Sequence, residues 1–135
     1  MVKKKTVKDL KKEAWKWFSK YIRLSYADEF GDVYCYTCGI KDNWKNMEAG
    51  HGIGGRTNNI LFDESIVRPQ CRQCNIFYHG NYDVFHLRLI DENGVEWFEK
   101  KVNQKFVSKS FTPQELEEII EKYKKLTEIE LERVS

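Results

Sequence analysis

Cys35-Tyr-Thr-Cys38 and Cys71-Arg-Gln-Cys74 are two C-x-x-C pairs, and they account for all four cysteines of the chain. A C-x-x-C turn points both sulfurs at one place. Two such turns supply the four thiolates of a closed, tetrahedral Zn²⁺ site, with no open position and therefore a structural role. The pairs are separated by 32 residues, so the intervening chain must be a structured excursion and metal binding contributes directly to folding. Thioredoxin-type redox chemistry needs a C-x-x-C at a helix start in a βαβ context, which this sequence lacks. Inside the excursion lies Met47-Glu-Ala-Gly-His51-Gly-Ile-Gly-Gly-Arg56, whose histidine is the only one between the two pairs. Its small neighbours let water and a phosphate approach the ring closely. Asn75 follows the last cysteine directly, at an expected helix start, where a zinc knuckle would fix its amide. Helix capping is the plainer role for it there.

Several elements must position these groups. Leu10, Ala14, Trp17, Phe18, Tyr21 and Ile22 recur at helical spacing with lysines between them, which predicts an amphipathic helix over residues 7–26. The glycine-rich stretch that follows, 31–70, is expected to be irregular, with strands at 33–37 and 65–68. Helical spacing returns after Arg72. It predicts short helices over 72–79 and 82–91, punctuated by Gly80-Asn81, and another over 94–106. Thr112-Pro113-Gln114-Glu115 carries an N-cap threonine, a proline at the first helical position and a capping-box glutamate. The apolar stripe Leu116, Ile119, Ile120, Tyr123 and Leu126 then marks the last helix.

A chain of 135 residues makes one domain. It contains no apolar run of 18 or more residues, which excludes a helical membrane span. Met1-Val-Lys-Lys-Lys-Thr6 has no apolar stretch behind it, so no secretory signal is expected. A cytoplasmic location follows as the expectation, and there paired cysteines are more often metal ligands than disulfides. The net charge is only +2, but residues 1–26 carry nine Lys/Arg against Asp9 and Glu13, whereas residues 112–135 carry four against seven acids. Lys3, Lys4, Lys5, Lys8, Lys11, Lys12 and Lys16 thus suit a polyanion at one end of the molecule, with a solvated helix face as the alternative.

The ordered set Trp15-Lys-Trp-Phe-Ser-Lys-Tyr-Ile-Arg23, Cys35-Tyr-Thr-Cys-Gly39, Ala49-Gly-His51, Leu61-Phe-Asp-Glu64, Gln70-Cys-Arg-Gln-Cys-Asn75, Gly80-Asn81 and Leu116–Tyr123 spans nearly the whole chain. It resembles the phage recombination protein NinG (Rap) family and, more broadly, the Cys₄ branch of the HNH (ββα-metal) nucleases that includes phage endonuclease VII. The resemblance implies an α+β, mainly helical fold: a basic N-terminal helix (1–30), a zinc-stabilised ββα-metal core (31–92) and C-terminal helices (93–135). It implies a structure-specific endonuclease that cuts branched double-stranded DNA, such as Holliday junctions and D-loops. His51 matches the general base, Asn75 the amide ligand of a catalytic Mg²⁺ or Mn²⁺, and Cys35, Cys38, Cys71 and Cys74 the zinc ligands. The acidic residue that many HNH enzymes place before the base is Gly50 here, and the middle asparagine is Ile66. Glu48, Asp63, Glu64 and His79 are candidates for the remaining ligand of the ion, and a backbone carbonyl for orienting the imidazole.

A histidine with a reference pKa of about 6.5 can deprotonate a water at neutral pH, and a hard divalent ion takes oxygen ligands. The expected reaction is in-line hydrolysis that leaves a 5′-phosphate and a 3′-hydroxyl. Lys8, Lys12, Lys16, Arg56, Arg68 and Arg72 are the expected DNA contacts. A two-fold dimer is expected from the need to cut two strands, with the aromatic-rich terminal helices as its interface. Two other classes compete: a zinc-stabilised DNA-binding module without catalysis, and a protein-interaction adaptor built on the acidic last helix. An HNH nicking enzyme without branch specificity is a variant of the first reading.

Overall fold

In chain order the elements are α1 (Val7–Ser25), β1 (Asp32–Tyr34), β2 (Lys41–Asn43), β3 (Met47–His51), α2 (Asn58–Leu61), β4 (Val67–Cys71), α3 (Tyr82–Asn93), α4 (Val95–Gln104) and α5 (Pro113–Arg133). They are taken from a computed structural model, which describes residues 4–134. The fold is mixed α+β, dominated by helices. α1 and α5 open with the same device. Thr6 Oγ1 accepts from Asp9 N at 3.1 Å, and Thr112 Oγ1 accepts from Glu115 N at 3.1 Å. Each acid bonds back to the cap backbone, and such a cap contributes about 1 kcal/mol.

The two long helices lie side by side and parallel. Leu10 and Ala14 pack on Leu116 at one end. Farther along, Thr127 Oγ1 donates to the Trp17 carbonyl, and Arg133 Nη2 donates to the Leu24 carbonyl. Phe18 and Tyr123 meet edge to face at 4.9 Å between them. The main core joins this pair to the β3–β4 segment through Phe18, Ile22, Ala49, Ile53, Ile60, Ile66, Val67 and Tyr123. Complete burial of a side chain such as Phe18 or Ile60 contributes about 1.5–3 kcal/mol. The apolar faces of α1 and α5 are therefore spent on each other and on the sheet.

Two antiparallel pairs carry the chemistry-bearing segments. β1 pairs with β2, and β3 with β4, in a register that sets Met47 opposite Cys71, Glu48 opposite Gln70 and His51 opposite Val67. A second core of Leu24, Ala27, Val33, Cys35, Trp44, Met47 and Cys74 lies under the cysteines.

The expected strands at 33–37 and 65–68 are shifted, to Asp32–Tyr34 and Val67–Cys71, because the turn that aims Cys35 and Cys38 must begin at residue 35. The expected helix over 72–79 is a single π turn, Gln73–Phe77, closed by Tyr78 N donating to the Gln73 carbonyl at 2.8 Å. His79, Gly80 and Asn81 then take positive φ in succession, at 51°, 95° and 48°. Three left-handed residues in a row end any helix. α3 and α4 meet at Gly94, whose φ of 93° no L side chain adopts without strain.

Candidate functional site

The four cysteine sulfurs converge. All lie within 4.8 Å of one another, and Cys38 Sγ is 3.7 Å from Cys71 Sγ. A tetrahedral ion with sulfur at about 2.3 Å has edges of about 3.8 Å, so the cage fits one metal ion such as zinc. Among the described residues it is the one cluster of three or more His, Cys, Asp or Glu side chains whose ligand atoms converge. Local bonds hold the sulfurs in place: Thr37 Oγ1 is 3.5 Å from Cys35 Sγ, the Cys74 amide donates to Cys71 Sγ, and Asn81 Nδ2 donates to Cys74 Sγ. Such bonds from the surrounding shell orient ligands and stabilise thiolate.

A cleft of about 650 Å³ opens beside this knot, lined by Trp15, Arg23, Glu48, His51, Arg56, Asn75, His79 and Tyr82 among others. β3 supplies Glu48 and His51, the π turn supplies Asn75, and α1 supplies the opposite wall. Trp15 and Arg23 lie eight residues apart with Ser19 between them, which places all three on one helical face.

His51 is buried, at 7% exposure. Its Nε2 is 3.0 Å from the Leu61 carbonyl oxygen. A carbonyl only accepts, so Nε2 carries the proton and Nδ1 is left as the acceptor. The backbone carbonyl expected to orient the ring is thus that of Leu61. Ile66, at the position of the usual middle asparagine, is instead fully buried core. The indole of Trp15 stacks on the imidazole at 5.0 Å and 18°, and the Arg56 guanidinium lies over that indole at 4.6 Å. Burial pushes the His51 pKa down to about 4, and the nearby Arg56 charge adds to the effect. The ring is neutral at physiological pH.

Glu48 and Asn75 are joined: Asn75 Nδ2 donates to Glu48 Oε1 at 2.8 Å. Rotation of the amide about its last bond exchanges Nδ2 for Oδ1, so carboxylate and carboxamide oxygens can face one cation from this position. Arg72 Nη1 is 3.6 Å from the other carboxylate oxygen. Gly50 explains the missing acid before His51. A Cβ there would lie 1.8 Å from Gln70 Oε1. Residues two apart in a strand share a face, so Glu48 presents its carboxylate on the side that an acid at position 50 would use. His79 reaches the same cleft from a left-handed turn and not, as expected, from a helix one turn past Asn75.

Asp63 and Glu64 are elsewhere. Asp63 binds Lys101 Nζ at 2.8 Å and Ser65 Oγ at 2.6 Å. Burial raises its pKa, but these two partners outweigh that and hold it below the ordinary carboxylate value. Glu64 accepts from the Tyr123 hydroxyl at 2.8 Å. Neither lines the cleft, so among the expected acids Glu48 alone stands beside Asn75.

The expected cationic residues divide. Lys8, Lys11, Lys12, Trp15 and Arg56 line a second groove of about 430 Å³, and exposed Arg72 borders the cleft. Lys16 is exposed, with its Nζ 5.5 Å from the Trp17 ring. Arg68 does not fit the expectation. It is 8% exposed, donates to the Glu64 and Val67 carbonyls and pairs with Glu92. It is a structural cation, buried because its strand is. Lys3 lies outside the described residues. Trp15, Arg23 and Tyr82 were not singled out in the sequence as site residues. For the first two, the spacing of four along 15, 19 and 23 was the available signal.

Among the described residues, no helix is long and apolar enough to cross a membrane. A family model described as Bacteriophage Lambda NinG protein matches residues 1–133. No curated protein and no solved structure matches the chain.

Proposed function

The chain belongs to the bacteriophage lambda NinG protein family, and we propose that it is a metal-dependent endonuclease acting on branched DNA. The observation that carries this reading is the content of one cleft. A neutral imidazole of fixed tautomer, a carboxylate–carboxamide pair 2.8 Å apart and the guanidinium groups of Arg23 and Arg56 line it together.

His51 Nδ1 takes the proton of the attacking water. The Leu61 carbonyl holds the ring through Nε2–H and stabilises the imidazolium that forms. Glu48 and Asn75 supply oxygen donors, and a Mg²⁺ or Mn²⁺ ion bound there would offset charge on the phosphate and leaving oxygen. Arg56 and Arg72 orient the phosphate, as guanidinium groups do in planar, bidentate fashion. The cysteine cage holds structural zinc and fixes the turn that carries Asn75. Lys8, Lys11 and Lys12 continue the cationic surface away from the cleft and bind backbone phosphates. Two such cuts on a symmetric junction call for two copies of the chain, and reduced thiols suit the cytoplasm.

The test is cleavage of four-way, D-loop, flap and linear substrates, with and without added Mg²⁺ or Mn²⁺, by the wild type and His51→Ala. A general base contributes roughly 10²–10⁴-fold. A loss of that size on branched substrates supports the assignment, and a near-wild-type rate removes it. The competing DNA-binding module predicts salt-sensitive binding with no cleavage under any condition.

A further inference from the structure

Arg56 lines three grooves. One is the His51 cleft and one is the groove of Lys8, Lys11 and Lys12. The third, about 520 Å³, runs between Lys11 and Arg56 on one side and the loop joining α4 to α5 on the other, with Lys105, Phe106, Ser108 and Lys109 among its lining residues. That loop is pinned at both ends by consecutive side chains of α2. Asn59 Nδ2 donates to the Gln104 carbonyl at 2.8 Å, and Asn58 Nδ2 donates to the Lys109 carbonyl at 2.9 Å. α2 begins two residues after Arg56, so the loop is registered against the segment that carries His51. Between the pins its tip is bare: Phe106 is 75% exposed and Val107 58% exposed. Lys105 Nζ lies 5.1 Å from the Phe106 ring, while Lys109 is partly offset by Glu115 at 2.6 Å.

An aromatic ring this exposed contributes little to folding, and its neighbours Lys105, Lys11 and Arg56 are cationic. Aromatic rings flanked by Lys and Arg are the standard surface for stacking exposed bases while binding their phosphates. Apolar tips also enter base steps where strands separate. We propose that the 105–110 loop reads the branch. Phe106 stacks on an unpaired base where two strands part, and Lys105, Lys11 and Arg56 hold the flanking phosphates. The occupant is thus unstacked nucleic acid, and the loop is a specificity element, not a catalytic one. The inference rests on the DNA-binding half of the function proposed above and not on its hydrolytic half.

The test uses a forked DNA with 2-aminopurine at the first unpaired position, and the matching linear duplex, with no Mg²⁺ or Mn²⁺ added so that nothing is cut and the cysteine cage keeps its metal. The wild type should bind the fork more tightly and change the probe's fluorescence. Phe106→Ala should weaken fork binding by roughly 5- to 150-fold, the range of base–aromatic stacking, leave duplex binding within about twofold and abolish the fluorescence change. Phe106→Trp should retain all three properties. Phe30→Ala, at a residue 69% exposed that lines none of the three grooves, should behave as wild type. The proposal is overturned by an unchanged fork-to-duplex ratio in Phe106→Ala, by an equal loss on both DNAs, or by a wild type that does not prefer the fork. Cleavage in Mg²⁺ is scored separately. A protein that discriminates forks through Phe106 yet never cuts removes the nuclease reading alone. One that cuts but ignores the Phe106 change removes only this inference.

Discussion

His51→Gln offers a test of the site that needs no substrate. The glutamine amide can still donate to the Leu61 carbonyl, but it does not titrate. In the folded protein, burial under Trp15 holds the imidazole pKa near 4, with Arg56 lowering it further and the Leu61 carbonyl and Asp63 pulling it up. In the unfolded chain the value returns to about 6.5. Between those two pH values the unfolded chain binds more protons than the folded one, so stability rises with pH through this window and is lost as pH falls through it. Integrated from pH 7 to pH 5, a shift from about 6.5 to about 4 removes about 2 kcal/mol. The cysteine thiols and the carboxylates titrate alike in both proteins and cancel in the comparison. Urea unfolding at pH 7, 6 and 5 should show the wild type losing about 2 kcal/mol more than His51→Gln over that interval. Parallel curves for the two proteins would refute the claim that the fold holds this ring neutral, and with it the ground for its role as a proton acceptor.

Three further outcomes are expected. Purified protein should carry one zinc per chain by atomic emission, and Cys74→Ser should lose the metal and lower the unfolding midpoint, because the cage joins segments remote in the chain. Lys8→Ala/Lys12→Ala should reduce the slope of log affinity against log salt by about 1.8, since each phosphate contact to duplex accounts for about 0.9; Arg68→Ala should instead lower the unfolding midpoint and leave the slope unchanged. Gly50→Ala should cost roughly 1–3 kcal/mol in denaturant unfolding, because Gln70 fills the space its methyl group needs.

The terminal helices were legible because both signals that define them are local. The capping residues at 6 and 112 and the apolar spacing along α1 and α5 lie within a few turns of chain. That the two apolar stripes face each other in parallel was not legible, since nothing local distinguishes a helix covered by its own chain from one covered by a second copy. The cysteine cage was legible because thiol chemistry and a repeated spacing leave few alternatives. The segment after Cys71 reads as a regular helix but folds as a single π turn. Its side chains suit a helix, but the sulfur geometry and three positive-φ residues override propensity there. Among the acids, sequence distance from His51 did not separate Glu48 from Asp63. The separation comes from Lys101, a partner 38 residues away from Asp63. Arg68 misled for a related reason: its charge reads as surface, yet β4 is buried along Val67–Gln70 and its guanidinium is satisfied by backbone carbonyls inside.

The cleft has two walls, and they depend on different forces. The wall with Asn75 is set by four thiols and their local bonds, so its rigidity depends on the cage being closed. The wall with Trp15 belongs to α1, and α1 is held against the sheet by α5 through Phe18 and Tyr123. Trp15 lies 5.5 Å from Phe18 and 5.0 Å from His51, so the last helix reaches the imidazole through a chain of three ring contacts. Loss of zinc should therefore displace Asn75 while Trp15 stays on His51. Loosening of α5, as by Tyr123→Ala, should uncover the imidazole and raise its pKa while the cage still binds metal. His51 and the Glu48–Asn75 pair meet in this cleft only because a turn set by the cysteines and a wall set by the helices are both anchored to the same short strand, β3.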